Sequence, residues 1–494
     1  MKLNLPHIFL VSIVLITMSV QAQVGINTTT PDASSALDIQ SSEAGVLIPR
    51  MSTLQRQAIS SPAASLLVFD TDLNNYYYNS GNASSPNWIP LLSEQDQRDN
   101  FKLVKSTSDL AEELTNGGGS TYLLQEDFLY EFNGTIAIDF PIDMNGAYLI
   151  GKDTNEDVLV NATSGALFQS TSSGGSIRNL HLNGNGNTIF NLSGNQTQNL
   201  VINNTLMSSA SSVGTLTNLN TVFFSITQFV NNSDGLVASD INSYFFNLSY
   251  WDASNTGTYQ TLSGDFVDIQ FESGRIIADT GETGLDVSAN PSVSRSGVIS
   301  SVTFDGDGTR VQPYTTGTYI GYNFTNDWQV NAPGIIAEAD NLATGDLSLD
   351  AAIGSGFNTN FSSNQTPTKL NGTTTSDDLF RFEAGTSGGT QIDNRLVYMG
   401  TKSRRFKINA SVSFQATGTN SIFVFYLAKG DPGASTPTVV EETKVYSRAE
   451  NLDVEAVSFN GSLLLEPGGY IEIWAERYTG SGDLLTVSMN LVAN

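Results

Sequence analysis

The sequence predicts an all-β protein in which a short extended amino-terminal module is followed by a parallel β-helix and then by an antiparallel β-sandwich. Charged residues make up only 14% of the chain and hydrophobic residues 39%. Gly, Asn, Ser and Thr are abundant, and they suit turns and short strands better than long helices. Short apolar bursts recur about every twenty residues in the middle of the chain, and longer alternating strands fill its last part.

These patterns divide the chain into six segments. We predict a signal peptide at 1–22, an amino-terminal module at 23–92, a linker and capping helix at 93–120, a parallel β-helix at 121–330, an extended linker at 331–392 and a β-sandwich at 393–494.

The first segment has the pattern of a secretory signal. Lys2 supplies the positive start, Ile8 to Met18 is uncharged, and small residues precede a predicted cut after Ala22. The apolar stretch is about half the roughly twenty residues that span a bilayer. We therefore expect a secreted, extracellular or cell-surface protein, with no membrane insertion once the signal is removed.

Charge and cysteine content exclude several classes of function. The net charge of −27 disfavours nucleic-acid binding. The basic cluster Lys402, Arg404, Arg405 and Lys407 is interpreted as solvent-facing strand positions. Because the chain has no cysteine, disulfides, zinc–thiolate sites, thiol nucleophiles and a lipid-bearing cysteine are excluded.

The segment 23–92 contains short apolar bursts that are separated by turn residues. The positions that carry a family resemblance are Gly25-Ile26-Asn27, Pro31, Leu37-Asp38-Ile39, Gly45 to Met51, Gln55-Arg56, Leu67 to Asp72, Tyr77-Tyr78 and Trp88. They resemble the amino-terminal module of exported Bacteroidetes proteins and the shaft repeats of phage tail fibres. This resemblance implies attachment or fibre assembly as a trimer, and it implies no chemistry.

A short helix is predicted before the β-helix. Ser106 to Asp109 offers capping oxygens, Leu110 and Leu114 give an apolar edge, and the glycines from Gly117 end the helix. Such a helix would cover the open end of a solenoid core.

The segment 121–330 has the spacing of a solenoid. Leu180, Leu200, Leu219 and Ile241 are separated by 20, 19 and 22 residues, and Asn179, Asn199 and Asn218 stand one residue before the three leucines. Asparagines at equivalent corners can form hydrogen-bonded ladders between coils. The pattern resembles the right-handed parallel β-helix of the pectin-lyase-like superfamily. An antiparallel sandwich in this segment stays open as an alternative.

Many enzymes of that superfamily degrade polysaccharides, so carboxylates in this segment are catalytic candidates. Glycoside hydrolysis needs two carboxyl groups. We predict no catalytic residue, and the candidates considered are Asp268 and Glu272, which share a strand face, with Arg275 and the neighbouring Asp265. His181, between two leucines, is interpreted as structural.

Two further pairs are weak candidates for binding. Asp305 and Asp307 offer oxygens to a metal, but their spacing is not that of a full calcium loop, and a turn is expected. Tyr250 and Trp251 could stack on sugar rings. We predict no metal and no cofactor.

The last hundred residues contain long alternating strands, which are typical of a sandwich. The stretch from Leu463 to Trp474 resembles the final hairpin of tumour-necrosis-factor-like jelly rolls and of phage fibre tips, with Gly469 where an aspartate is frequent in those modules. The resemblance implies a jelly-roll-like tip that trimerises and binds partners. A monomeric carbohydrate-binding sandwich is the alternative.

Together these features predict a secreted structural or adhesion protein of spike or fibre type. We expect a homotrimer that binds a surface partner or a glycan. One alternative is a polysaccharide lyase or glycoside hydrolase on a β-helix scaffold, and another is a prophage-derived tailspike.

Overall fold

The computed structural model describes residues 23–91, 99–387 and 390–494, so the predicted signal peptide lies outside the described residues. The chain divides into two compact units, residues 1–98 and 99–494. Across the described ranges, no helix has the length and apolar character that a membrane crossing requires.

The described residues of the first unit form two small sheets and one short helix. Its strands are β1 Val24–Ile26, β2 Leu37–Ile39, β3 Arg50–Met51, β4 Leu67–Asp70, β5 Asn75–Asn79 and β6 Trp88–Pro90. Strands β1 and β2 pair in parallel, and β3 to β6 form a four-stranded sheet. The helix α1 spans Thr53–Gln57 and begins with a capping box at Ser52, whose side chain accepts from the Gln55 amide.

The second unit begins with a β-solenoid of about nine turns. Its strands pair in parallel throughout. They are β7 Phe101–Val104, β8 Tyr122–Leu123, β9 Leu129–Phe132, β10 Thr135–Ile138, β11 Ile142–Asp143, β12 Tyr148–Ile150, β13 Val158–Asn161, β14 Phe168–Ser170, β15 Gly175–Arg178, β16 His181–Asn183, β17 Thr188–Ser193, β18 Asn199–Ser208, β19 Ser212–Thr217, β20 Thr221–Val230, β21 Leu236–Trp251, β22 Thr258–Ile277, β23 Thr283–Asp286, β24 Ser292–Ser300, β25 Thr303–Asp305, β26 Thr309–Gln312 and β27 Trp328–Asn331. The parallel solenoid that the spacing predicts is confirmed. Its right-handed, pectin-lyase-like form stays a prediction.

The pairing arranges the strands in three faces. Face 1 consists of β7, β9, β12, β15, the first halves of β18 and β20, the middle of β21 and β22, and then β24 and β27. Face 2 consists of β10, β13, β16, the ends of β18, β20, β21 and β22, and β25. Face 3 consists of β8, β11, β14, β17, β19, the starts of β21 and β22, β23 and β26. Long strands such as β21 therefore bend at the corners of the solenoid and contribute residues to all three faces.

Inward side chains of face 1 stack in one register column through the core. The column runs Ile177, Ile202, Phe224, Phe246 and Phe271, each the direct partner of the next. All five are at most 3% exposed. Since strands alternate inward and outward residues, this column fixes which residues of face 1 meet solvent.

The predicted spacing is close to the repeat, but its phase differs from the structure. Leu200 pairs with Gly175 and Val222, so Leu180 and Leu219 do not lie in its column. Both are nevertheless fully buried. The phase was missed because corner leucines and strand leucines are equally apolar and cannot be told apart by spacing alone.

Hydrogen bonds between asparagine side chains connect successive coils, which is the type of contact that the sequence predicts. Asn242 donates to Asn220 Oδ1 at 3.2 Å, and Asn220 donates to Asn199 Oδ1 at 2.9 Å. The predicted member Asn179 accepts from Asn204 Nδ2 at 2.9 Å in a second asparagine contact between coils. Asn179 and the third predicted member, Asn218, adopt positive φ angles of 55° and 54° at corners. Asparagine tolerates this left-handed conformation better than most residues.

A short helix packs at the first coil. A 3-10 turn at Thr107–Leu110 continues into α2, Ala111–Asn116. Leu110 belongs to the solenoid core and Leu114 packs against it. Glu113 is fully buried and accepts from Lys102 Nζ at 2.6 Å and from the Tyr130 hydroxyl at 2.9 Å. The helix therefore covers the first coil through both apolar and ionic contacts.

The rest of the second unit is a pair of antiparallel sheets with a shared core. The strands are β28 Gly345–Asp350, β29 Phe357–Thr359, β30 Thr368–Lys369, β31 Phe382–Ser387, β32 Thr390–Tyr398, β33 Arg404–Ala416, β34 Ser421–Gly430, β35 Thr438–Val439, β36 Val445–Ala449, β37 Val454–Leu465, β38 Tyr470–Thr479 and β39 Leu484–Ala493, with 3-10 turns at Asp340–Leu342 and Glu441–Thr443. One sheet contains β28, β29, β39, β33 and β37, and the other contains β30, β31, β32, β38, β34, β35 and β36.

Two expectations differ from this arrangement. The segment 331–392, expected to be an extended linker, contributes β28 to β31 and part of β32 to the two sheets, where β28 and β29 pair with β39 and β30 pairs with β38. The stretch from Leu463 to Trp474 is not a hairpin, because β37 pairs with β33 in one sheet and β38 pairs with β32 and β34 in the other. Its turn crosses between the sheets, and a local sequence motif does not specify that choice.

A buried arginine ties the last coil of the solenoid to the sandwich. Arg381, 1% exposed, donates to Asp340 and to the carbonyl of Trp328, and lies 3.3 Å from the carbonyl of Glu338. Asp340 also accepts from the hydroxyl of Thr401 at 2.8 Å. This junction therefore joins β27 to the loop before β33.

Candidate functional site

A buried ion pair organises the amino-terminal module. Arg56 Nε donates to Asp70 Oδ2 at 2.9 Å, with side chains that are 5% and 0% exposed. The Arg56 guanidinium lies over the rings of Tyr77 at 4.0 Å and Trp88 at 5.7 Å from the centroids. Arg56, Asp70, Tyr77 and Trp88 are thus brought together from α1, β4, β5 and β6. All four belong to the positions that carried the sequence resemblance.

The electrostatics of this pair favour the charged form of the carboxylate. Burial acts to raise the pKa of Asp70, but hydrogen bonds from Arg56, Thr53 and two backbone amides outweigh it and leave the pKa below its ordinary value. Thr53 Oγ1 donates at 2.9 Å. The pair is therefore structural, since both side chains are buried and engaged by hydrogen bonds within the module.

The comparison with protein families falls on this module. Residues 25–107 match the model of a family described as a phage tail like trimerisation region. The match ends in the turn after β7, so it includes the first strand of the solenoid. It supports a homotrimer, and together with the β-solenoid it fits a tail-fibre-like or spike-type structural protein.

Other comparisons add less. A search among curated proteins found no match. Among solved structures, a crystal structure of murine APRIL at pH 8.0 aligns with 11% identity and a TM-score of 0.21, covering 31% of this chain and 99% of that chain. At that TM-score the alignment carries no argument about this protein.

The catalytic candidates do not form a carboxylate pair with free oxygens. Asp268 is held by Arg295, Glu272 accepts from Gln270 Nε2 at 2.9 Å, and Arg275 pairs with Asp305. Asp265 accepts from the hydroxyl of Ser292. Arg275 lies on face 2, whereas Asp268 and Glu272 lie on face 1, so the presumed cluster is divided by a corner.

Arg295 was missed because its partner lies 27 residues away along the chain. His181 lies on face 2, where its Nε2 is 2.7 Å from the hydroxyl of Ser208, and burial lowers the pKa of the ring. This pairing agrees with a structural role.

One of the two metal candidates, Asp305, is engaged by an arginine and by a backbone amide. Asp305 binds Arg275 and accepts from the Gly306 amide at 2.9 Å, and the hydrogen bond from Arg275 lowers the pKa of Asp305. Asp307 lines an open groove with Gly306 and Gly308. Within the described ranges, no group of three or more His, Cys, Asp or Glu side chains is arranged to hold a metal ion.

The two aromatic candidates, Tyr250 and Trp251, have opposite orientations in the solenoid. Trp251 points inward, is 1% exposed and packs 5.0 Å from Tyr259 between centroids, so its proposed contact with sugar is wrong. Tyr250 points outward on face 2 and is 46% exposed. In register, its neighbours are Gln228 on one coil and Arg275 on the next. An exposed ring between amide and guanidinium groups is chemically suited to a sugar.

The basic cluster is partly structural rather than fully solvent-facing. Arg404 donates to the carbonyls of Asp340 at 2.9 Å and Ala343 at 2.7 Å, and it lies 4.6 Å from the centroid of Phe406. Arg405 donates to the carbonyl of Ser462 at 3.1 Å. Arg404 thus supports the junction between solenoid and sandwich.

Proposed function

We propose that this chain is an exported structural protein that forms a homotrimeric spike or fibre and binds a glycan on a surface. The match of residues 25–107 to a trimerisation region carries the proposal. The parallel solenoid supports it, because stacked coils give an extended body without catalytic groups being required. Export rests on the sequence pattern of residues 1–22 and would place the glycan outside the cell.

Light scattering of residues 23–494 tests the assembly. We expect a mass about three times that of the chain, since a closed ring of three copies is what a trimerisation region would form. A monomeric mass at micromolar concentration would contradict the proposal.

The variant Arg56→Ala tests whether the amino-terminal module stabilises the trimer. It leaves the Asp70 carboxylate buried without its ion partner, a change that costs about 3–5 kcal/mol in buried pairs. We expect its trimer to dissociate on dilution, while Arg50→Ala serves as the control because Arg50 is exposed and stacks only on Phe69. Equal stability of both trimers would place the assembly contacts elsewhere.

Glycan binding by face 2 is the second testable part. Tyr250→Ala is expected to lower the affinity for a polysaccharide that the native protein binds by about fivefold to a hundredfold, since loss of one stacking ring costs about 1–3 kcal/mol by analogy with base stacking. The measurement is binding to a panel of immobilised bacterial surface polysaccharides, with Tyr446→Ala, an exposed tyrosine of the sandwich, as the control.

Two outcomes would change this part of the proposal. Equal binding by Tyr250→Ala and the control would remove face 2 as the glycan site. Release of reducing ends or unsaturated products from any polysaccharide of the panel would favour the polysaccharide-degrading alternative instead.

A further inference from the structure

One outward column of face 1 is apolar along most of the solenoid. In register from the first coil, the column is Phe101, Leu129, Tyr148, Ser176, Val201, Phe223, Phe245, Gln270, Val298 and Gln329. Seven of these ten side chains are apolar or aromatic. From Phe101 to Val298 the column is about 40 Å long, because neighbouring strands lie about 4.8 Å apart. We call it the face 1 stripe.

The same molecule provides an internal comparison. The equivalent outward column of face 3 is Gln169, Asn191, Thr215, Val237, Thr261, Asp286 and Gln312. Six of its seven residues are polar or charged, as expected for a solvated sheet surface. The apolar character of the stripe is therefore a property of face 1 and not of solenoid surfaces in general.

The outward strand positions of face 1 include no acidic residue over four consecutive coils. The outward positions of face 1 in these coils are Ser176, Arg178, Asn199, Val201, Asn203, Thr221, Phe223, Ser225, Ser243, Phe245 and Asn247. None of these described positions is Asp or Glu, although the chain has 49 acidic residues. Interface centres are enriched in aromatic residues and depleted of charge.

Two concavities border the stripe. One, of about 400 Å³, is lined by Tyr148 and Val201 together with polar residues that include Glu126 and Gln198. The other, of about 260 Å³, is lined by Phe245 and Val298 with Asp268 and Arg295. Tyr148 itself is 51% exposed in the single chain. Ridges and hollows of this kind can accept side chains of an opposing surface.

We propose that the face 1 stripe is the seam along which three copies of this chain pack in the trimer. The inference rests on the proposed homotrimer and names the surface that the copies share. The stripe begins at Phe101, and Phe101 lies inside the region 25–107 that matches a trimerisation region. The stripe therefore overlaps the matched region at the first coil of the solenoid.

The charge distribution on the surface favours a second copy of the chain over other molecules as the occupant of the stripe. Each copy is strongly acidic, so two copies repel wherever acidic surfaces meet. The acid-free coils of face 1 allow close approach of like copies. In a parallel trimer around a three-fold axis, each residue meets residues of the same height on its neighbours. An apolar column that is flanked mainly by uncharged Asn, Ser and Thr side chains, with Arg178 as the one charged residue among these described outward positions, fits that seam.

Single cysteines test the seam, because the chain contains none of its own. Ser243→Cys places a thiol beside the stripe in the same strand as Phe245, and Thr215→Cys places one in the face 3 column. Both native side chains are half-buried in the single chain. Residues 23–494 with each substitution are treated with a short bifunctional maleimide at low protein concentration.

We expect Ser243→Cys to give covalently linked copies and Thr215→Cys to remain single chains. A trimeric mass with no link through position 243, or with equal linking through both positions, would overturn the seam while leaving the homotrimer intact. In the first case, free labelling of position 243 by a monofunctional maleimide would show that the stripe is open to another ligand. A monomeric mass would overturn both the seam and the homotrimer.

Discussion

Phe246→Ala is expected to destabilise the solenoid by about 3–5 kcal/mol, the range for truncating a buried phenylalanine. The ring of Phe246 is 2% exposed and stacks on Phe224 and Phe271 at centroid distances of 4.7 and 5.5 Å. Each coil contacts only its neighbours, so the cavity would interrupt the column in both directions. Urea unfolding followed by circular dichroism at a fixed protein concentration measures the effect.

The control is Tyr250→Ala in the same strand, β21. It also removes an aromatic ring, but from a position that is 46% exposed, so we expect a much smaller shift of the urea midpoint. Equal shifts for the two variants would contradict the assignment of inward and outward residues in β21.

Arg381→Met is expected to have a second large effect, at the junction of solenoid and sandwich. It removes the guanidinium that binds Asp340 and the carbonyls of Trp328 and Glu338, and it leaves a mostly buried carboxylate. Removing one partner of a buried pair costs about 3–5 kcal/mol. Limited proteolysis within residues 331–345 and calorimetry should show earlier loosening of the junction, with the sandwich unfolding as a separate transition.

The matched control is Arg275→Met, which removes an arginine from an exposed pair with Asp305, with side chains that are 52% and 46% exposed. Exposed pairs contribute little to stability, so we expect little change in unfolding or proteolysis. Comparable losses of stability in the two variants would show that burial does not determine how much these ion pairs contribute.

Acid should weaken the same junction. Burial acts to raise the pKa of Asp340, but hydrogen bonds from Thr401 and Arg381 outweigh it and hold the pKa below 3.8. A carboxyl group whose pKa is lower in the folded state stabilises the fold above its unfolded pKa, and this stability is lost as pH falls through the folded pKa. Glu338 acts in the opposite sense, because burial raises its pKa. Asp340→Asn should reduce the loss of stability below about pH 4.

The sequence allowed the broad architecture to be predicted because its signals are local. Alternation within β33, β37 and β39 marked the long strands of the sandwich, and recurring apolar bursts marked the coils. Arg56 and Asp70 stood among the resembling positions of the module. Asparagine contacts between coils were predicted in kind. Asn179 and Asn199 take part in them, whereas their partners Asn204 and Asn220 were not predicted.

The remaining features depend on pairing between distant residues. Gly345 of β28 lies opposite Ala493 of β39, at the far end of the sandwich sequence, so no local pattern places β28 in a sheet. The same reason hides the pairs of Arg295 with Asp268 and of Arg275 with Asp305, which join different coils. The face 1 stripe emerges only when ten separate strands are placed in register.

The parallel pairing of the coils also has a mechanical meaning. Hydrogen bonds between successive coils point along the long axis of the solenoid, because the strands run across that axis. Compression along the axis presses stacked backbones together, whereas tension can peel away one terminal coil at a time. The solenoid should therefore resist axial compression far better than axial tension. The contacts of α2 at one end and of Arg381 at the other determine the force at which the terminal coils begin to separate.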